Sequence, residues 1–180
     1  MKLGLIFFLT SFFVFIISNL DKNEVSKPTQ ISTRIELGQK LFFDPILSLD
    51  NTISCASCHK PEFAFADNVA LSLGVGDSLG TRNTPSVMNM LSRPYFFYDG
   101  RAATLELQAI GPIENPMEMN LPYNVAVKRI QMEAEYNSLF QTIYNSKPDS
   151  FNIANALAEF QRSLESDGSA PHDLWVNDID

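Results

Sequence analysis

An all-α domain of about five helices with long loops is the fold class this sequence predicts, from three observations. Apolar residues recur at helical spacing in five separate stretches between residues 31 and 164, and Thr33, Thr104, Asn124 and Asn152 stand where four of them open. No stretch sustains the alternation of a half-buried strand, and no internal repeat is visible. The third observation is the run Cys55-Ala56-Ser57-Cys58-His59. Cys-x-x-Cys-His is the attachment signature of c-type haem: the thiols form thioethers with two porphyrin vinyls, and the imidazole beside them takes the iron from one face. The helices are therefore expected to wrap one haem, in a cytochrome c-like arrangement.

Other uses of the cysteine pair fare worse. A redox dithiol needs no adjacent histidine, and a closed zinc site needs two further ligands of similar kind. The chain has two cysteines and, besides His59, only His172, more than 100 residues further on. With 180 residues, 45% of them hydrophobic and 19% charged, there is length for one domain and one core. The net charge of -8 argues against nucleic acid as a partner and suits one with a basic patch.

Residues 1–20 read as a signal peptide or an N-terminal anchor. Lys2 precedes a charge-free apolar run over residues 3–18, long for the hydrophobic part of a signal and short for a full span. Either way the rest of the chain is expected on the periplasmic side, soluble or held by the uncleaved segment, which agrees with covalent haem attachment in an oxidising compartment. Residues 21–30 are polar, include Lys27-Pro28 and read as a linker. The haem domain is assigned to residues 31–180.

Within that domain, Thr33-x-x-Glu36 forms a capping box, and Ile31, Ile35, Gly38, Leu41 and Phe42 mark a helix that Asp44-Pro45 stops. The haem motif follows, then Phe63 and Phe65 as packing aromatics. Residues 71–85 hold three glycines without periodicity and read as loop. A short apolar turn at Met88 to Leu91 leads into the aromatic run Tyr95-Phe96-Phe97-Tyr98, closed by Asp99-Gly100. Thr104 caps a helix through Ile110 that Gly111-Pro112 terminates, and Asn115-Pro116 sets a turn. Asn124 opens a helix with Val127, Ile130 and Ala134; Tyr136, Leu139, Phe140, Ile143 and Tyr144 mark the next; Ile153, Ala156, Leu157, Phe160 and Leu164 follow behind Asn152.

Five blocks in order, Glu36-Leu37-Gly38-Gln39-Lys40-Leu41-Phe42-Phe43-Asp44-Pro45, Ser54 to His59, Gly80-Thr81-Arg82-Asn83-Thr84-Pro85, Asp99-Gly100-Arg101-Ala102 and Gln108 to Met119, carry a resemblance. From about Ile31 onward the chain resembles the N-terminal half of the bacterial di-haem cytochrome c peroxidases and their MauG relatives. The resemblance implies one covalent haem c held by Cys55, Cys58 and His59 (the iron ligand), hydrogen peroxide as substrate and a small c-type cytochrome as electron donor. It makes Glu118 the catalytic acid and base, Gln108 its partner in the distal pocket, and Asn83 a ligand to a calcium ion. Tyr98 stands where many relatives have an electron-relaying tryptophan.

Three departures shape the expectation. No histidine lies between Phe63 and Asn83, where some relatives carry one that caps the resting iron. The iron is then open to peroxide, or closed by another group such as Met88, Met90, Met117, Met119 or Met132. The second Cys-x-x-Cys-His of the family does not occur in the 180 residues, so a homodimer or a separate haem domain is expected as partner. The competing functions are a single-haem electron carrier without peroxidase activity and a MauG-like oxidase of another substrate.

Overall fold

The computed structural model describes residues 31–177; residues 1–20, expected as a signal peptide or anchor, residues 21–30, expected as a linker, and residues 178–180 lie outside the described residues. Seven helices are found there: α1 (Arg34–Phe43), α2 (Cys55–Cys58), α3 (Leu105–Glu114), α4 (Tyr123–Met132), α5 (Ala134–Tyr144), α6 (Ser150–Arg162) and α7 (Pro171–Asn177). Five are the expected ones; the single turn α2 and the short α7 are additional. The described residues contain isolated bridges but no strand, and none of their helices is long and apolar enough to cross a membrane.

The core is built around α6. Along it Ile153, Ala154, Ala156, Leu157, Ala158 and Phe160 are all buried, and α1 and α3 pack against it. Small residues allow that closeness. A Cβ on Gly38 of α1 would collide with the carbonyl oxygen of Ala156 and lie 2.6 Å from its carbon and 2.9 Å from Phe160 Cβ, so the α1–α6 crossing requires glycine there. The buried face of α1 is Leu37, Gly38, Leu41 and Phe42, whereas Ile35, expected on the inner stripe, is 43% exposed.

Helix ends follow the sequence at some places and depart at others. The Thr33 and Glu36 capping box is present, and Thr104 Oγ1 accepts from the Leu107 amide at 3.2 Å. The expected stop at Gly111-Pro112 does not occur: α3 runs on to Glu114 with Pro112 inside it. Pro112 only removes the amide that would bond the Gln108 carbonyl, while burial of Ala109 and Ile113 keeps the helix seated. Ala134 belongs to α5 rather than α4, because the chain turns at Glu133. Asp149, not Asn152, caps α6, its Oδ1 accepting from the Asn152 amide at 2.8 Å.

The loop between α1 and the haem motif is pinned from below. Arg129 of α4 donates to the Ile46 carbonyl at 2.9 Å, the Leu49 carbonyl at 3.2 Å and Asn51 Oδ1 at 2.8 Å. Tyr136 of α5 donates to Asp44 Oδ2 at 2.7 Å. Long-range side-chain bonds thus hold a segment that has almost no regular structure of its own.

Candidate haem site

The motif adopts one turn of helix. The Ser54 amide donates to Ser57 Oγ at 3.0 Å, and the His59 amide closes the turn on the Cys55 carbonyl at 2.9 Å. Cys55 and Cys58 are therefore three residues apart on a helix and share a side of it, and both are free thiols. Burial, with Cys58 and Glu118 nearby, pushes the Cys55 thiol up to about 12. Burial also raises Cys58, against a hydrogen bond from Ser72.

His59 is oriented by the loop that follows. Ala64 and Phe65 both have left-handed backbones, φ 53° and 55°, and turn the Phe65 carbonyl toward the ring, 3.0 Å from His59 Nδ1. With the proton on Nδ1, Nε2 keeps its lone pair for a metal. Burial lowers the His59 pKa, which favours the neutral, ligand-competent imidazole. Phe42, 6.3 Å from the His59 ring and 5.1 Å from Phe160, packs the imidazole against α1 and α6. Beneath the loop, Lys60 Nζ and Ser72 Oγ each donate to Asp67 at 2.7 Å, and Ser72 lies 2.8 Å from Thr84 Oγ1.

The opposite contribution comes from α3 and the turn behind it. Gln108 and Glu118 are both half-buried and line, with Cys58 and His59, a cavity of about 670 Å³; a smaller space of about 50 Å³ is lined by the same four residues and Cys55. Asn115 builds the turn. Its Oδ1 accepts from the Met117 amide at 3.0 Å, its carbonyl accepts from the Glu118 and Asn120 amides at 3.0 Å each, and its Nδ2 donates to Glu118 Oε1 at 2.7 Å. The Val75 amide donates to the Glu118 carbonyl at 2.8 Å, and Gly74 touches that backbone so closely that a Cβ would lie 2.6 Å from the same oxygen. Burial raises the Glu118 carboxyl, opposed by the Asn115 amide and the Arg101 charge.

The remaining expected residues are placed as follows. Tyr98 lines the cavity, is 63% exposed, and its hydroxyl donates to the Asn83 carbonyl at 3.3 Å. Asn83 Nδ2 donates to the Val69 and Ala70 carbonyls at 2.9 and 3.3 Å. Of the methionines, Met90 and Met117 line the cavity; Met119 is buried in the core and Met132 is 79% exposed. Phe65 packs against the core, whereas Phe63 is exposed, and His172 stands in α7 with its side chain open to solvent. Sequence reasoning gave no site role to Asn115, Gly74, Arg101 or Asp67, although Asn115 and Arg101 stand in two of the blocks that carry the resemblance.

Three observations fit a c-type haem: two free thiols on one helical turn, an adjacent imidazole whose Nδ1 is engaged by the Phe65 carbonyl, and a cavity in the usual size range of cofactor sites, about 300–1,000 Å³. Fold and site define an all-α c-type haem domain. The comparisons narrow the class: residues 32–179 match the family model of the di-haem cytochrome c peroxidases, and the chain belongs to that family. The methylamine utilization protein MauG of Methylorubrum extorquens is 40% identical over 145 residues, 79% of this chain and 41% of that protein. The cytochrome c peroxidase Ccp of Escherichia coli is 38% identical over 144 residues, 79% of this chain and 31% of that protein. Among solved structures, a MauG-like protein associated with microbial copper homeostasis superposes with a TM-score of 0.71 at 31% identity, over 80% of this chain and 43% of that one. The chain thus spans less than half the length of the relatives it matches.

Proposed function

We propose that this chain is the peroxide-handling haem domain of a periplasmic cytochrome c peroxidase. The observation that carries the reading is that Glu118 and Gln108 line the same cavity as Cys58 and His59 while coming from a different element. Haem iron, when bound through His59, supplies the redox centre for cleaving the O–O bond. Glu118 accepts a proton from the incoming peroxide and returns it to the departing oxygen, and Gln108 orients the substrate by hydrogen bonding. The balance is hydrogen peroxide plus two electrons and two protons giving two waters. The electrons come from a small c-type cytochrome, by way of a second haem domain or along the Tyr98 side, with calcium at Asn83 as a structural ion.

In the haem-loaded chain, Glu118→Gln is expected to slow peroxide turnover about 10²- to 10⁴-fold with the haem still covalently attached. Turnover equal to the unsubstituted chain would overturn the role of Glu118. A second reading, a single-haem electron carrier, is favoured by Met117 on the cavity wall beside Glu118. It requires a low-spin His/Met optical spectrum that stoichiometric peroxide leaves unchanged.

A further inference from the structure

The wall of the large cavity carries an unusual charge. In a chain of net charge -8, three of the six arginines, Arg82, Arg93 and Arg101, line it, and Glu118 is the one acidic residue among the lining side chains. Glu118 is held by Asn115. The arginines share a single carboxylate next to the cavity. Arg101 Nη1 donates to both oxygens of Asp99 at 2.9 Å, and Arg82 Nη1 lies 4.0 Å from Asp99 Oδ2. Arg93 makes no ion pair among the described residues. Three guanidinium groups thus face two carboxylates, Asp99 and Glu118, which leaves an excess positive charge at the cavity.

These guanidinium groups are also placed and oriented. Arg101 stacks on the Phe97 ring at 3.5 Å and Arg82 lies 5.9 Å from the centre of the Tyr98 ring. Because Asp99 engages Arg101 through Nη1 alone, Nε and Nη2 of that group remain free to donate. Both arginine side chains are more than half exposed, at 58% and 54%, and so belong to the open side of the cavity, whereas Cys55 packs against the core.

Porphyrin chemistry links the two ends. The two vinyl groups of haem sit on adjacent pyrroles and the two propionates on the other pair, so tethering the vinyl edge at Cys55 and Cys58 directs the carboxylate edge away from α2. We propose that Arg82 and Arg101, braced by Asp99, form the site that takes the propionate carboxylates of the attached haem, with Arg93 contributing to the charge balance. Planar guanidinium forks match carboxylates in pairs of parallel hydrogen bonds, a geometry lysine does not reproduce. The inference rests on haem attachment at the cysteine pair but not on peroxidase activity.

The test uses the full haem-loaded chain and its Arg82→Gln, Arg101→Gln, Arg101→Lys and Asp99→Asn variants. Intact mass first establishes covalent haem, then resonance Raman reads the propionate bending bands and redox titration reads the potential. Arg82→Gln and Arg101→Gln are expected to move the bending bands to lower frequency and the potential downward, because a positive charge that disfavours ferric iron is lost. Arg101→Lys should shift the bands while keeping most of the potential, and it stands in if the glutamine variant fails to fold. Asp99→Asn should move the potential upward. Bands unchanged in both glutamine variants, or Asp99→Asn and Arg101→Gln moving the potential in the same direction, would show that the arginines only hold their own loop and would overturn the proposal. A chain that takes up no covalent haem would overturn the haem reading as well.

Discussion

At the scale of single residues, the site depends on how Glu118 is held. A proton acceptor works only when ionised, and burial raises this carboxyl above its ordinary value while the Asn115 amide opposes the shift. Peroxide turnover should therefore fall with acid around a midpoint above the usual glutamate value of about 4.3. Asn115→Ala removes the bond that favours the charged form, so that midpoint should move to higher pH and the plateau rate should drop about tenfold, as expected for losing a hydrogen bond to a charged group. The pH profile of kcat/KM for peroxide checks both; an acid limb unmoved by the substitution would remove Asn115 from the site. The dipeptide Asn115-Pro116 announces a turn in the sequence. That its amide also holds the candidate base is visible only once the turn is folded, because a residue three positions away reaches Glu118 through one particular backbone path.

At the scale of elements, the molecule rests on the crossings of α6 with α1 and α3. Gly38→Ala would press a methyl into the Ala156 carbonyl, and the backbone atoms there cannot swing aside. The expected cost is about 3 kcal/mol or more, seen as about 6–12 °C lost in Tm. On the other side of α6, Arg162 pairs with Glu106 of α3 at 2.8 Å. Burial works against that carboxylate, but its own backbone amide, the Arg162 guanidinium and the Asn155 amide hold Glu106 below its usual range. A depressed folded-state pKa contributes stability that is present above the unfolded value, about 4.3, and is lost as pH falls through the folded value. Glu106→Gln should thus be less stable by about 1 kcal/mol near pH 7, the gap closing as urea melts are taken to pH 3. Sequence periodicity marks all five of the longer helices, since each buries one stripe. It misplaces the end of α3, because a proline is read as a stop when the cost of one missing amide is offset by burying Ala109 and Ile113.

At the scale of the whole molecule, the haem would be part of the core. Residues from α2, the loops after it, α3 and the Asn115 turn surround a cavity of about 670 Å³ that no side chain fills. The loaded chain should melt well above the chain without haem, and the chain without haem should show weaker near-ultraviolet dichroism at similar far-ultraviolet helix content, since α1, α4 and α5 contribute no lining residue to that cavity and α6 contributes only Gln161. Equal melting temperatures would mean that the cavity walls are self-supporting.

Residue order alone conveys the haem motif, the caps at Thr33 and Thr104, the helical class and the family, because each depends on neighbours within a few positions or on motifs in a set order. The same information yields Glu118 and Gln108 as candidates only through resemblance, since a glutamate in a polar loop has no local mark of function. The fold adds what depends on distant partners: Gly74 seating the Glu118 turn, Arg129 pinning the loop ahead of the motif, and Gln108 and Glu118 meeting Cys58 and His59 at one cavity. Those contacts join residues far apart in the chain, and no local pattern of apolar and polar residues encodes which distant groups will meet.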